Sequence, residues 1–382
     1  MEWVSLILRW THIVTGAAWI GTSFYFNWLN NQVRPREGAP DAVAGELWAI
    51  HGGHFYQVTK YKVAPPQLPK TLHWFKWEAY FTWITGASLI GVVYYADARA
   101  FMIDPAIRAL REVDAIGIGL IALVAPLVFY EFVCRSPLGR KPAISTVLGL
   151  AATTAIAWAL CQALAPRAAY MHVGAMLGTI MAWNVWHVII PSQQKTVRAM
   201  IDGKEPDPEL NRRAAQRSLH NNYFTLPVLF IMVSNHYPMT YGHSWNWAIL
   251  AGLSVAGAAV RHWFNLRGLG RRNVWILPAA ATAMVALALV TAPRRSDNGA
   301  PVSDAQAQAI VTQRCVPCHS ASPTFPGWLE APQGVVLDTL DQVRARRDRI
   351  RYVSADAKTM PIGNLTHMTD NERATLAAWL GN

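Results

Sequence analysis

Eight long apolar stretches separated by short polar ones dominate the first three hundred residues: about 3–29, 77–97, 113–134, 143–164, 168–190, 220–236, 245–265 and 273–293. A helix needs about 20 mostly apolar residues to cross a bilayer, so each stretch is expected to be a membrane-spanning helix. The sixth is the weakest, being short and carrying Pro227, and the seventh carries Arg261 and His262 near its end. The first is too long for a signal-peptide core and no small-residue cleavage site follows it, so it reads as an uncleaved span. Beyond residue 293 the pattern changes. Residues 294–304 read as a polar linker, and a helix is expected near 304–314 and another near 339–351. The last helix has a clear start, because Thr369 with Glu372 three residues on makes a capping box before Leu376, Trp379 and Leu380. The expected fold class is all-α: an eight-span transmembrane helix bundle over 1–293, a linker over 294–304, and a small C-terminal domain over 305–382.

Composition agrees. Of 382 residues 52% are hydrophobic and 15% charged, below the roughly 25% charged residues of soluble domains. The 17 tryptophans suit a chain that meets lipid–water interfaces. A net charge of +11 raises the question of nucleic acid, but residues 301–382 hold eight basic and eight acidic residues, so the excess lies in the short loops between apolar runs. With the N-terminus outside, the inside loops collect eighteen Lys and Arg and the outside segments six. That asymmetry predicts both termini outside, a lipid bilayer as partner and no nucleic acid. Cys134 and Cys161 would lie at opposite membrane faces, so they are expected to be small buried hydrophobes and not a disulfide.

The tail carries Cys315-Val316-Pro317-Cys318-His319. Two thiols at this spacing add to the two vinyl groups of one haem, and the next residue presents imidazole to the iron. A thioredoxin-like pair or half of a zinc site is the bland reading, but neither needs the adjacent His, and no second Cys pair completes a zinc site. The expected cofactor is a covalent haem c in a class I-like cytochrome c domain. The sixth iron ligand is expected to be Met360, in Lys358-Thr359-Met360-Pro361, with Met368 and His367 as rivals. Bacterial haem c attachment occurs on the periplasmic side, which agrees with the charge count and places the chain in the inner membrane.

Ionisable side chains inside spans are costly and mark function. His12 and His172 share a depth, where they would hold a haem b between two imidazoles or make ordinary interhelical hydrogen bonds. Near the inner ends, His187, His220 and His262 would form a polar pocket with Asn184, Asn221, Asn222, Tyr223 and Arg261, of which His220, Asn221, Asn222 and Arg261 are one candidate substrate set. His51, His54 and Glu78 form a second candidate set. Interfacial snorkelling and loop capping are the plainer account of both groups.

The chain resembles the bacterial membrane-bound, cytochrome c-linked urate oxidases (urate hydroxylases) over nearly its whole length. The resemblance rests on Arg9-Trp10-Thr11-His12 with Trp19-Ile20-Gly21, and on His51-Gly52-Gly53 with Phe55-Tyr56. It also rests on Leu72-His73-Trp74-Phe75-Lys76-Trp77-Glu78-Ala79-Tyr80, and on Asn184-Val185 running to Ile190-Pro191 and Gln193. In the tail it rests on the haem motif, Met360-Pro361-x-Gly363-Asn364 and Met368-Thr369-x-x-Glu372-Arg373. It implies oxidation of urate to 5-hydroxyisourate with water as the oxygen source. Electrons would pass to the fused haem c and on to a soluble cytochrome c or terminal oxidase. If urate binds from the cytoplasm, electrons must cross about 30 Å of hydrocarbon, which calls for a relay such as haem b. The rival reading is a membrane-anchored electron carrier without enzymatic activity, although one span would suffice as an anchor. A haem–copper oxidase or nitric oxide reductase would need more spans and more intramembrane histidines.

Overall fold

The structure, a computed structural model, describes residues 2–292 and 302–381; most of the expected linker lies outside the described residues. All eight apolar stretches are helical. They begin with α1 (Glu2–Gln32), which is followed by two strands, β1 (Val43–His51) and β2 (His54–Tyr61). The strands pair antiparallel with His51 opposite His54. Gly52 and Gly53 make the two-residue turn with φ of 58° and 80°, a conformation glycine enters without steric cost and one that suits the twist of a hairpin. This corrects the all-α expectation. Val, Trp, Ile, Phe and Tyr on either side of a Gly-Gly pair favour a hairpin, and the ribbon is largely exposed, so it shows no core-facing alternation.

The bundle continues with α2 (Trp77–Leu89), prolonged by a π-helical turn at Ile90–Tyr95, and the short α3 (Ala98–Phe101). Next come α4 (Glu112–Arg135), α5 (Pro142–Cys161) and α6 (Pro166–Trp183). A second π turn, Asn184–Ile189, leads without a break into α7 (Ile190–Ile201). The expected short sixth stretch is part of a longer helix, α8 (Pro208–Ser234), because Asp207 caps it by accepting from the Glu209 N–H and Pro208 fits its first turn. Then follow α9 (Pro238–Tyr241), α10 (Asn246–Gly268) and α11 (Ile276–Thr291). Among the described residues, three helical runs are long and apolar enough to cross a membrane: Glu112–Arg135, Pro142–Cys161 and the continuous Pro166–Ile201. Helix α6 is the centre of the bundle. Tyr170, Val173, Met176 and Leu177 on it are buried against α4, α5 and α8, with Ile231 and Leu250 closing the core.

Residues 302–381 build a separate apolar core around Ala307, Val311, Val343, Leu376 and Trp379. Helix α12 (Asp304–Arg314) starts at a capping box between Ser303 and Gln306. The helix expected near 339–351 is two short ones, α13 (Leu340–Arg344) and α14 (Arg347–Arg351). The final helix, α15 (Asp370–Gly381), starts where the sequence placed it: Glu372 N–H donates to Thr369 Oγ1 (3.2 Å) and Thr369 N–H to Glu372 Oε2 (2.7 Å).

The tail docks on one end of the bundle. A Cβ added at Gly363 would lie 2.7 Å from the Ala100 carbonyl oxygen and 2.9 Å from that of Ile103. Gly363 also has φ of 52°, so both its backbone and its neighbours require glycine. Gly242, after α9, meets the Ala357 carbonyl in the same way. The loop that carries Met360 therefore rests on the segment from α3 to Ile103.

Candidate functional site

The tail donors come first. Helix α12 ends at Cys315, and Cys315 to His319 coil into one turn, with the His319 N–H donating to the Cys315 carbonyl at 2.9 Å. His319 Nδ1 lies 2.9 Å from the Val335 carbonyl. A carbonyl only accepts, so Nδ1 carries the proton and Nε2 is left as the ligating nitrogen, the arrangement that orients metal-bound imidazoles. Burial pushes the Cys315 thiol up to about 12 and raises that of Cys318. Two thiols on one turn beside an imidazole whose Nε2 is left free are a donor set that would hold a covalent haem. Met360 is exposed at 37%. Arg373 holds its loop, donating to the Met360 carbonyl (2.6 Å) and to that of Ser354. Met368 is packed in the tail core, and His367 is exposed.

His12 and His172 are each hydrogen-bonded: His12 to the next helix, His172 to its own helix and to Tyr95. His12 Nδ1 donates to the Thr82 carbonyl (3.0 Å) and lies 3.1 Å from Thr85 Oγ1, which ties α1 to α2. His172 is fully buried. Its Nδ1 donates to the Ala168 carbonyl (2.8 Å), and its Nε2 is 3.2 Å from Tyr95 OH. A Cβ at Gly119 would come within 2.6 Å of His172 Nε2. Tyr95 and Gly119 thus enclose the nitrogen a haem b iron would need. As placed, both histidines make hydrogen bonds that need no haem, the plainer of the two accounts the sequence offered.

The inner polar residues form two networks where one pocket was expected. On one face of α8, Asn221 Oδ1 accepts from Asn184 Nδ2 (2.8 Å). Asn184 Nδ2 also donates to Tyr130 OH (2.9 Å), so Tyr130 donates onward to His220 Nδ1 (2.8 Å). Arg217 lies over the Tyr130 ring at 4.8 Å and 3.0 Å from Glu131. Cys134 is half-buried beside His220, 3.9 Å from Nδ1, and is not the fully buried hydrophobe expected; Cys161 is buried, and both are free. On the other face, Asn222 Oδ1 accepts from Arg261 Nε (2.9 Å) and from Asn265 Nδ2 (3.0 Å), and Asn265 accepts from Asn27 (2.7 Å). The Arg261 guanidinium lies 4.1 Å over the Phe24 ring. The amide nitrogen of Asn222 is buried and has no hydrogen-bond partner among the described residues. Tyr223 and His262, next along the same two helices, pair at 2.7 Å. The networks separate because positions 220 and 222 lie about 200° apart around a helix.

His51 and His54 sit at the exposed hairpin turn, and Glu78 lies in the first turn of α2; nothing in the structure joins the three. Residues that sequence reasoning missed include Phe24, Asn27, Tyr130, Glu131, Arg217 and Asn265. Glu131, a carboxylate in an otherwise apolar stretch, was the available signal.

These features define a largely helical protein with helices long and apolar enough to cross a membrane, buried polar networks between helices, and a docked tail carrying thiol, imidazole and thioether donors. The chain belongs to the urate oxidase N-terminal family, whose family model matches residues 1–292, which places it among urate oxidase-related oxidoreductases. Comparison with curated proteins and with solved structures gave no match.

Proposed function

We propose that the protein oxidises urate to 5-hydroxyisourate and passes the electrons to a haem c on its own tail. The reaction balances as urate and water giving 5-hydroxyisourate, two protons and two electrons, so oxygen is not the oxidant. Haem c, when bound, supplies a one-electron acceptor, which must be used twice per urate. Cys315 and Cys318 hold it, with His319 and Met360 as iron ligands. The observation that carries the reading is the docking of the Met360 loop onto the family-matched bundle, which puts the acceptor domain against the domain that defines the family.

Within the bundle, the Arg261–Asn222–Phe24 group is the substrate pocket. The guanidinium offers charge to the urate anion, and the unpartnered Asn222 amide offers a donor to a ring carbonyl. His262, paired with Tyr223, is the base for the incoming water. In this reading eight helices span the bacterial inner membrane, with both termini and the tail on the periplasmic side. A soluble cytochrome c or terminal oxidase takes the electrons onward. The loop charge asymmetry supports that orientation.

The test is anaerobic addition of urate to the purified, haem-loaded chain. Haem c is expected to become reduced, with one urate reducing two chains. Haem bands that stay oxidised with urate yet respond to dithionite would overturn the proposal.

A further inference from the structure

The docking leaves a cavity of about 290 Å³ between the bundle end and the tail, lined by Asp97, Arg99, Ala100, Phe325, Trp328 and Leu365. Two of its walls come from tail segments adjoining the Cys315–His319 turn and Met360. The Phe325–Trp328 loop is tied to the Cys-x-x-Cys-His turn, since the Thr324 and Phe325 N–H groups both donate to the Pro317 carbonyl at 2.9 Å. Leu365 lies on the loop that follows Met360. The third wall is the segment from Asp97 to Ala100, which belongs to the bundle and not to the tail.

Arg99 lines this cavity, and its Nη1 is buried with no hydrogen-bond partner among the described residues. Among the described residues the one carboxylate lining the cavity is Asp97, and its side chain already accepts from the Ala100 N–H. A guanidinium nitrogen taken from water without a partner costs about 1–3 kcal/mol or more, and an anionic oxygen in the cavity would offset that cost. A guanidinium is also the side chain best matched to a carboxylate.

We infer that Arg99 is an anion anchor reaching across the domain boundary, with the haem's own carboxylate edge as its ligand. The inference rests on the reading of Cys315, Cys318 and His319 as a haem c site. A free urate anion has the same chemistry and is the other source. In either case the bundle supplies a charge that the tail lacks at this place, and Arg99 acts on the haem as a positioning and tuning residue.

The test uses the full haem-loaded chain in detergent. Redox titration of haem c and equilibrium dialysis with urate are compared for wild type, Arg99→Gln and Arg99→Lys. Loss of the positive charge beside the haem favours the oxidised state. Arg99→Gln is expected to shift the equilibrium about tenfold, ~59 mV for one electron, with urate affinity unchanged, and Arg99→Lys should restore most of the shift. An unmoved potential with urate affinity about tenfold weaker would keep the anion site and assign it to substrate. Neither quantity moving, with haem c spectra intact, overturns the inference alone. Absence of thioether-linked haem from the wild type by pyridine haemochrome would overturn both this inference and the reading it rests on.

Discussion

At the scale of single residues, the chemistry turns on which polar atoms are spent and which are left over. Asn222 shows both. Its carbonyl is shared by Arg261 and Asn265, while its amide nitrogen is buried without a partner among the described residues. A buried donor left unpaired costs about 1–3 kcal/mol, so a ligand that accepts from it recovers that energy. Removing the Arg261 charge from a pocket for an anion should forfeit a charge-assisted hydrogen bond of about 1.5–3 kcal/mol. Arg261→Gln is expected to raise the urate concentration for half-maximal haem reduction by roughly 10- to 100-fold, with dithionite reduction unaffected. Unchanged urate dependence in stopped-flow reduction would count against this pocket. That Arg261 and Asn222 belonged to a polar inner group was readable from the sequence. That His220 and Asn221 face other helices was not, because helical spacing gives a residue's angle on its own helix and says nothing of which helix it meets.

Among the elements, helix starts were the most legible. The Thr369–Glu372 box is formed as read, since a Ser/Thr with a Glu three residues on specifies its own local geometry. The β1–β2 ribbon was missed because neither of its faces is buried enough to impose a period on the sequence. Glu372 does more than cap. Burial raises its carboxyl, but the Thr369 backbone and side-chain bonds and the Arg314 ion pair at 2.8 Å outweigh burial and hold it below the usual range. The folded value being depressed, its stabilisation is whole above the unfolded value of about 4.3 and is lost as pH falls through the folded one. Glu372→Gln should therefore destabilise the tail at neutral pH by about 1–2 kcal/mol, and the gap should close in acid. Denaturant unfolding followed through the haem bands at several pH values would show it. A gap independent of pH would mean that the ionised carboxylate contributes nothing beyond the cap.

For the molecule as a whole, the eight apolar stretches announced the bundle, but the docking of the tail was hidden. It depends on Gly242 and Gly363 letting backbones approach, and a glycine in a sequence does not say what it makes room for. From the buried His172, ring neighbours lead toward the docked face: Tyr94 at 6.2 Å from His172, then Phe101 at 6.3 Å from Tyr94, beside the Ala100 that Gly363 touches. Gly363→Val would place carbon against two carbonyls and strain a positive φ, at a cost of about 1–3 kcal/mol. Haem c is expected to remain attached with a native spectrum, while its reduction by urate slows at least tenfold. An unaltered rate would show that docking at this face does not serve electron transfer.

If electrons pass to the docked tail as proposed, the docking would also set the kinetic order of the exchange. In the proposed reaction donor and acceptor would be parts of one polypeptide, so each bundle would carry its own oxidant at an effective concentration set by the tether and not by how many molecules are present. Sparse chains and crowded ones would turn over alike until the electron has to leave. Only that departure, to a second protein, is left to diffusion.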